Sequence, residues 1–246
     1  LLLICILLFS ANLRAPITGL APVLALIQQE FVFSTARAGL LTTLPLLAFA
    51  LVSPLAPALA RRLGLERTLF GALALVAGGV VLRSAGPAWS LFAGTAVIGA
   101  GIAVGNVLLP ALLKRDFPTR IASVTGAYAL SMGVAAAVAS ASVFPLASGL
   151  GLGWSGGLLA MVVLPLAAML LWWPQLGKRP AVAQVGAAPA ATAPIWRHAL
   201  AWQVTLFMGL NSFVYYVMIG WLPAILASAG YSAAEAGSLH GWMQLA

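Results

Sequence analysis

LLLICILLFSANLRAPITGLAPVLALI, residues 1–27, sets the class of this protein. One charge, Arg14, interrupts an apolar run. At ~1.5 Å of rise per residue the run is long enough to cross the ~30 Å hydrocarbon layer of a bilayer. A helix on the surface of a soluble domain carries a charged face opposite its apolar stripe, and no such face exists here. No charged stretch precedes the run, and its apolar character continues to Ile27, so it reads as a membrane helix and not as a secretory signal.

The rest of the chain repeats this character. Of 246 residues, 63% are hydrophobic and 7% are charged, where soluble domains carry ~25% charged residues. Mean hydropathy is +1.07. Lipid must therefore solvate most of the outer surface, which restricts the backbone to helices or a closed barrel. Barrel strands are ~10-residue segments of alternating polarity; the long unbroken runs found here select helices. Eight spans are expected: 1–27, 36–60, 68–85, 88–113, 121–147, 154–173, 199–227, and an eighth beginning at Ala234. The chain starts without Met and stops inside an apolar run at Ala246, so it reads as a piece of a longer protein, and alone it is not expected to transport.

The net charge of +8 lies in short clusters between spans. That is a topology signal and excludes a nucleic-acid partner. Arg61, Arg62, Arg67, Lys114, Arg115, Arg120, Lys178, Arg179 and Arg197 occupy alternate connections; only Arg37 and Arg83 lie near the others. The basic connections and the N-terminus are expected to face the cytoplasm, in a multi-pass protein of the inner (plasma) membrane. The segment Arg61-Arg62-Leu63-Gly64-Leu65-Glu66-Arg67 reads as a short basic turn. Trp89, Trp154, Trp173 and Trp221 lie near span ends and suit an interfacial belt.

Residues 175–195 are rich in Ala, Pro and Gly, which suits a linker after six spans. Around it runs an echo. Gly19-Leu20-Ala21-Pro22 precedes Ser34-Thr35-Ala36-Arg37-Ala38-Gly39, and Gly220-Trp221-Leu222-Pro223 precedes Ser232-Ala233-Ala234-Glu235-Ala236-Gly237. Spans 1–2 thus resemble spans 7–8 in the same orientation, as in transporters built from parallel halves. The fold class is all-α: a polytopic membrane helical bundle of six-plus-six type, truncated after the start of span 8. Its divisions are residues 1–174 as a six-helix bundle, 175–197 as a cytoplasmic linker, and 198–246 as the opening of a second bundle. Ser34 can cap span 2, and Ser232 with Glu235 forms a capping box for span 8.

Arg14 is the main candidate for function. A guanidinium at membrane depth costs at least ~2.5–3.5 kcal/mol and cannot escape by losing its proton. An anionic solute, a carboxylate or a watery cavity must compensate. No other charge is expected so deep, because Glu30, Glu66, Asp116 and Glu235 all sit near span ends. Asn12, Asn106 and Asn211 lie well inside spans 1, 4 and 7 and can line a cavity or join helices. Tyr128, Tyr215 and Tyr216 can close a small pocket or simply pack. Cys5, the single cysteine, is a packing residue. His198 and His240 lack metal-spaced partners. Neither a phosphate loop nor a nucleophile elbow is present. No metal, cofactor or enzymatic activity is expected.

These residues resemble the major facilitator superfamily, and within it the cyanate and 2-nitroimidazole transporter family. The resemblance rests on Asn12-Leu13-Arg14-Ala15-Pro16-Ile17-Thr18, on Gly105-Asn106-Val107-Leu108-Leu109-Pro110 with Lys114-Arg115-Asp116-Phe117-Pro118, on Ala201-Trp202-Gln203-Val204-Thr205 and on Trp221-Leu222-Pro223. It implies twelve helices in two bundles and alternating access to a central site. It also implies a small anionic or polar substrate, cyanate-like or nitroimidazole-like. Arg14, Asn12, Asn106, Tyr128, Asn211 and Tyr215 are the expected substrate-binding residues. The alternative is an uncharged metabolite or drug, with Arg14 structural. A monomer in the lipid bilayer is expected, with protons as a candidate coupling ion. Two features depart from the superfamily: Arg61 stands where the loop motif carries Asp, and span 5 lacks the Gly-Pro pair of drug antiporters.

Overall fold

In the computed structural model, which describes residues 2–177 and 198–244, every regular element among the described residues is helical. Seven helices among them are long and apolar enough to cross a membrane. They are span 1 (Leu2–Phe31), span 2 (Thr35–Leu63), span 3 (Leu65–Arg83), span 4 (Ala88–Asp116), span 5 (Ile121–Gly149), span 6 (Gly153–Gln175) and span 7 (Ala199–Ser228). An eighth helix runs over Ala233–Met243. The expected linker lies outside the described residues from position 178 to 197.

Local chemistry sets the span ends. The Arg37 N–H donates to Ser34 Oγ at 3.4 Å at the start of span 2. Ser232 and Glu235 cap each other reciprocally, with the Ser232 N–H donating to Glu235 Oε2 at 2.9 Å. Between spans 2 and 3 the expected basic turn shrinks to one residue. Gly64, at φ +89°, reverses the chain alone because it has no Cβ to clash. Span 2 therefore continues through Arg61 and Arg62, and span 3 begins at Leu65 instead of Thr68. Arg61, Arg62, Lys114 and Arg115 end in the last turns of their helices, where the helix dipole favours cations.

Span 1 is broken. Helix Leu2–Ala11 is followed by one turn at Ala15–Thr18, a 3-10 turn at Ala21–Val23 and helix Leu24–Phe31. Pro16 lacks a backbone N–H, and its ring collides with the carbonyl four residues back, so the ladder stops across residues 12–14.

The tightest packing joins spans 3 and 4. A Cβ added at Gly101 would lie 2.7 Å from the Ala72 carbonyl oxygen, and one at Gly79 would lie 2.8 Å from the Ile98 side chain. A Cβ at Gly94 would collide with the Arg83 backbone. Small residues allow this approach, and in lipid dispersion between close backbones replaces the hydrophobic effect as the source of cohesion. At the basic end Arg115 pairs with Glu66 at 2.6 Å and with Asp116 at 2.8 Å, tying the same two helices together. Beside them, Phe9 packs on Trp172 with ring centroids 5.5 Å apart. Cys5 is buried, and its Sγ–H donates to the Leu171 carbonyl at 3.2 Å.

Trp89 and Trp173 are exposed, as an interfacial belt requires. Trp154 departs from that expectation: it is buried, and its Nε1–H donates to Glu30 Oε2 at 2.6 Å. The indole joins spans 1 and 6 because a carboxylate stands within reach of its donor.

The two echoed segments pack on each other reciprocally. Gly39 of the first copy faces the Trp221 ring of the second at 3.7 Å, and Gly237 of the second faces Pro22 of the first at 3.7 Å, both measured from an added Cβ. Such a cross is what an approximate two-fold relation between parallel repeats produces. These contacts lie at the end of the bundle opposite the basic residues. Along span 7 the residues 202–214 are all exposed, and burial begins only with Tyr215.

The span 3–4 seam makes a prediction. Gly94→Leu is expected to destabilise the protein by about 3 kcal/mol or more, since a side chain there displaces backbone. Gly78→Leu, on the open face of span 3, is expected to behave as wild type. Thermal unfolding in detergent of the two variants measures the contrast.

Candidate functional site

The break in span 1 places a guanidinium near the middle of that span. Arg14 caps the short turn Ala15–Thr18 and leaves the helical ladder. Its carbonyl accepts from the Ile17 and Thr18 N–H groups, each at 3.0 Å. Its side chain is half-buried and lies under Tyr215, with the guanidinium carbon 4.8 Å from the ring centroid. That distance is within cation–π range. Tyr215 and Tyr216 meet edge to face at 5.3 Å, and Tyr216 reaches Phe49 of span 2 at 6.4 Å. Arg14 thus sits where span 7 meets spans 1 and 2.

From Tyr215 a line of polar contacts crosses to span 5. The Tyr215 hydroxyl donates to Gln244 Oε1 at 3.2 Å. Gln244 Nε2 lies 3.2 Å from His240 Nε2, and His240 Nδ1 lies 2.7 Å from Ser140 Oγ. Ser140 also donates to the Gly237 carbonyl at 3.1 Å. Nothing in the sequence singled out Gln244 or Ser140. His240 and Gln244 do stand four residues apart, on one face of helix 8, which is the only sequence trace of the line.

The expected site residues divide. Arg14 and Tyr215 come together. Asn12 is fully buried inside spans 1–6: its Nδ2–H groups donate to Leu8 O at 2.8 Å and Leu164 O at 3.5 Å, while Oδ1 has no partner. It ties span 1 to span 6 and faces away from Tyr215's side of the break. Tyr128 is half-buried against the core of the first spans. Asn106 and Asn211 are exposed.

Arg83, which the sequence places near a span end, is more completely buried in the protein than Arg14. Arg83 ends span 3, yet it is 1% exposed. Its Nη1–H donates to the Pro16 carbonyl at 2.6 Å, while Nε and Nη2 have no partner. Position along a helix fixes only the Cα. A long side chain at a helix end can fold inward, and here it reaches a carbonyl near the break in span 1.

Carboxylates play no part in either place. The chain holds four acidic residues. Glu30 binds Trp154, Glu66 and Asp116 bind Arg115, and Glu235 caps helix 8. No cluster of His, Cys, Asp and Glu able to hold a metal occurs among the described residues. A groove of about 710 Å³ between spans 1, 5 and 6 is lined by Leu, Val and Ala, with Ser131 already donating to Leu7 O. It offers a solute almost no polar contact, and it suits lipid.

Comparison with known proteins agrees with this arrangement. A family model described as "Major Facilitator Superfamily" matches residues 2–246. The chain is 57% identical over 241 residues to the 2-nitroimidazole transporter of Escherichia coli (strain K12), covering 98% of this chain and 61% of that one. It is 45% identical to the transporter YycB of Bacillus subtilis (strain 168), covering 98% and 60%. It is 27% identical to the cyanate transport protein CynX of Escherichia coli (strain K12), covering 99% and 63%. The chain therefore spans about 60% of the length of these relatives. Among solved structures, a bacterial homologue of the human drug peptide transporters shares the fold, with a TM-score of 0.58 at 17% identity over 96% of this chain and 50% of that one. By its broken first span, its echoed segments and the family model that matches nearly its whole length, the chain belongs to the major facilitator superfamily.

Proposed function

We propose that this chain is the larger part of a secondary transporter for a small anionic or polar solute, working by alternating access, with Arg14 as the charged contact. It is not an enzyme. The observation that carries the reading is Arg14 itself: a half-buried guanidinium at membrane depth in a chain whose four acidic residues are all engaged elsewhere. Cyanate is an anion, and a nitroimidazole presents partly negative nitro oxygens. Both offer acceptors that a guanidinium fork can hold. Tyr215 supports the site by fixing the guanidinium plane from span 7. Asn106, Asn211 and Tyr128 belong to the same proposal as further contacts along the path, and Asn12 as a support for the broken segment.

Residues 1–174 form the first bundle in this reading, 175–197 the connection, and 198–246 the opening of a second bundle. The basic end faces the cytoplasm, the N-terminus with it, in the plasma membrane of the cell. Contacts between spans 1–6 and spans 7–8 gather at the opposite end, which favours a shape open toward the cytoplasm. The protein works as a monomer, and protons are the proposed coupling ion.

A second reading is favoured by Tyr215 alone. The ring already provides Arg14 with a partner, so the arginine could be structural and the solute an uncharged metabolite or drug. Uptake by the full-length protein separates the two. Arg14→Gln is expected to lower uptake of anionic solutes roughly 10- to 100-fold, the worth of about 1.5–3 kcal/mol for hydrogen bonds to a charged group. Arg14→Lys should retain part of it. Unchanged anion uptake in Arg14→Gln, with uptake of a neutral solute equally unaffected, would favour the second reading.

Orientation is tested by cysteine labelling in a Cys5→Ala background. Arg67→Cys is expected to react with an impermeant maleimide only in inside-out vesicles, and Ala85→Cys only in right-side-out cells. The reverse pattern overturns the topology.

A further inference from the structure

Beside Arg83 lies a small cavity of about 20 Å³, bounded by Ile17, Thr42, Thr95, Tyr216 and Gly220 among others. That is more than the ~10–15 Å³ needed to seat one water, and too little for a molecule of several heavy atoms. Its walls come from spans 1, 2, 3, 4 and 7, all within the described residues. The Thr42 and Thr95 hydroxyls are spent as donors to their own helices, at 2.9 Å to Gly39 O and 2.7 Å to Leu91 O. The Arg83 Nε–H and Nη2–H groups remain, buried and without a partner.

We propose that Arg83 holds a small monovalent anion of halide size in this cavity. A water there would satisfy a donor but leave the guanidinium charge uncompensated in a low-dielectric setting. A buried charge without a counter-charge is strongly destabilising, and no acidic residue of this chain is free to supply one. A halide answers both needs through charge-assisted hydrogen bonds. Its site is walled on one side by Tyr216 and Gly220 of span 7, so the anion is held while span 7 lies against spans 1 and 2. It is released to water when they part. The anion thus stabilises one state of the cycle and is separate from any solute at Arg14.

Thermal unfolding of the purified full-length protein tests this without measuring transport. Sodium gluconate, whose anion is too large for the cavity, is exchanged for sodium bromide at constant ionic strength. Wild type is expected to show a saturable rise in Tm of about 2–4 °C. The rise is expected to vanish in Arg83→Gln and to persist in Arg14→Gln. No rise in wild type means that the cavity holds water alone and overturns the proposal. A rise that survives in Arg83→Gln, or that is lost only in Arg14→Gln, also overturns it by assigning the anion elsewhere. Should Arg83→Gln fail to fold, anomalous diffraction from wild-type crystals in bromide decides: a peak at Arg83 between spans 2 and 7 supports the site, and an empty map there sinks it.

Discussion

Inside hydrocarbon a backbone N–H or C=O has no water to turn to, and the structure around residues 12–18 follows from that constraint. Pro16 breaks the ladder of span 1, so groups that a straight helix would satisfy need other partners. Side chains provide them. Arg83 reaches the Pro16 carbonyl, and Asn12 donates to Leu8 O. The polar residues of span 1 are therefore not scattered. They gather where a proline has opened the backbone, and the same opening sets Arg14 free of the helix to meet Tyr215.

Two kinds of helix contact divide the mechanical work. Spans 3 and 4 are joined through glycines whose added Cβ atoms would enter neighbouring backbone, and Arg115 fastens one end. Such a seam has one register and moves as a body. Helix 8 sits close on span 5, where a Cβ at Gly133 would lie 2.8 Å from the Gln244 carbonyl oxygen and one at Gly241 3.0 Å from that of Ala137. Where span 7 meets span 2, added Cβ atoms at Gly39 and Gly220 find only side-chain atoms of the facing span, at 3.7 Å. Those are ordinary van der Waals contacts, and they can separate without unpacking backbone. In the proposed cycle, movement belongs to the second kind of contact and rigidity to the first.

Much of this was legible in the sequence because hydropathy alone dictates spans. The eight spans, the Ser34 and Ser232 caps and the echo around Gly-x-x-Pro needed only local patterns, and all have counterparts in the structure. What stayed hidden required knowing where side chains point. Arg83 looks like a residue of the membrane edge until its guanidinium is seen folded toward Pro16. Trp154 looks interfacial until Glu30 is found beside it. Gly64 looks like one residue of a longer turn until its positive φ shows it to be the whole turn. Asn12, Asn106 and Asn211 are alike in sequence, yet one is buried between spans 1 and 6 and two are exposed. One-dimensional depth does not resolve which face of a helix a residue occupies.

The disposition of the acidic residues has a last consequence. With Glu30, Glu66, Asp116 and Glu235 all tied to donors near the ends of helices, the interior of this part of the molecule carries fixed positive charge and no fixed negative charge. Between low-dielectric walls such a field reaches well beyond hydrogen-bonding distance. In the proposed cycle, this part of the cross-section favours an anion over a cation before either touches a side chain, which leaves the contacts around Arg14 the task of telling one anion or polar solute from another.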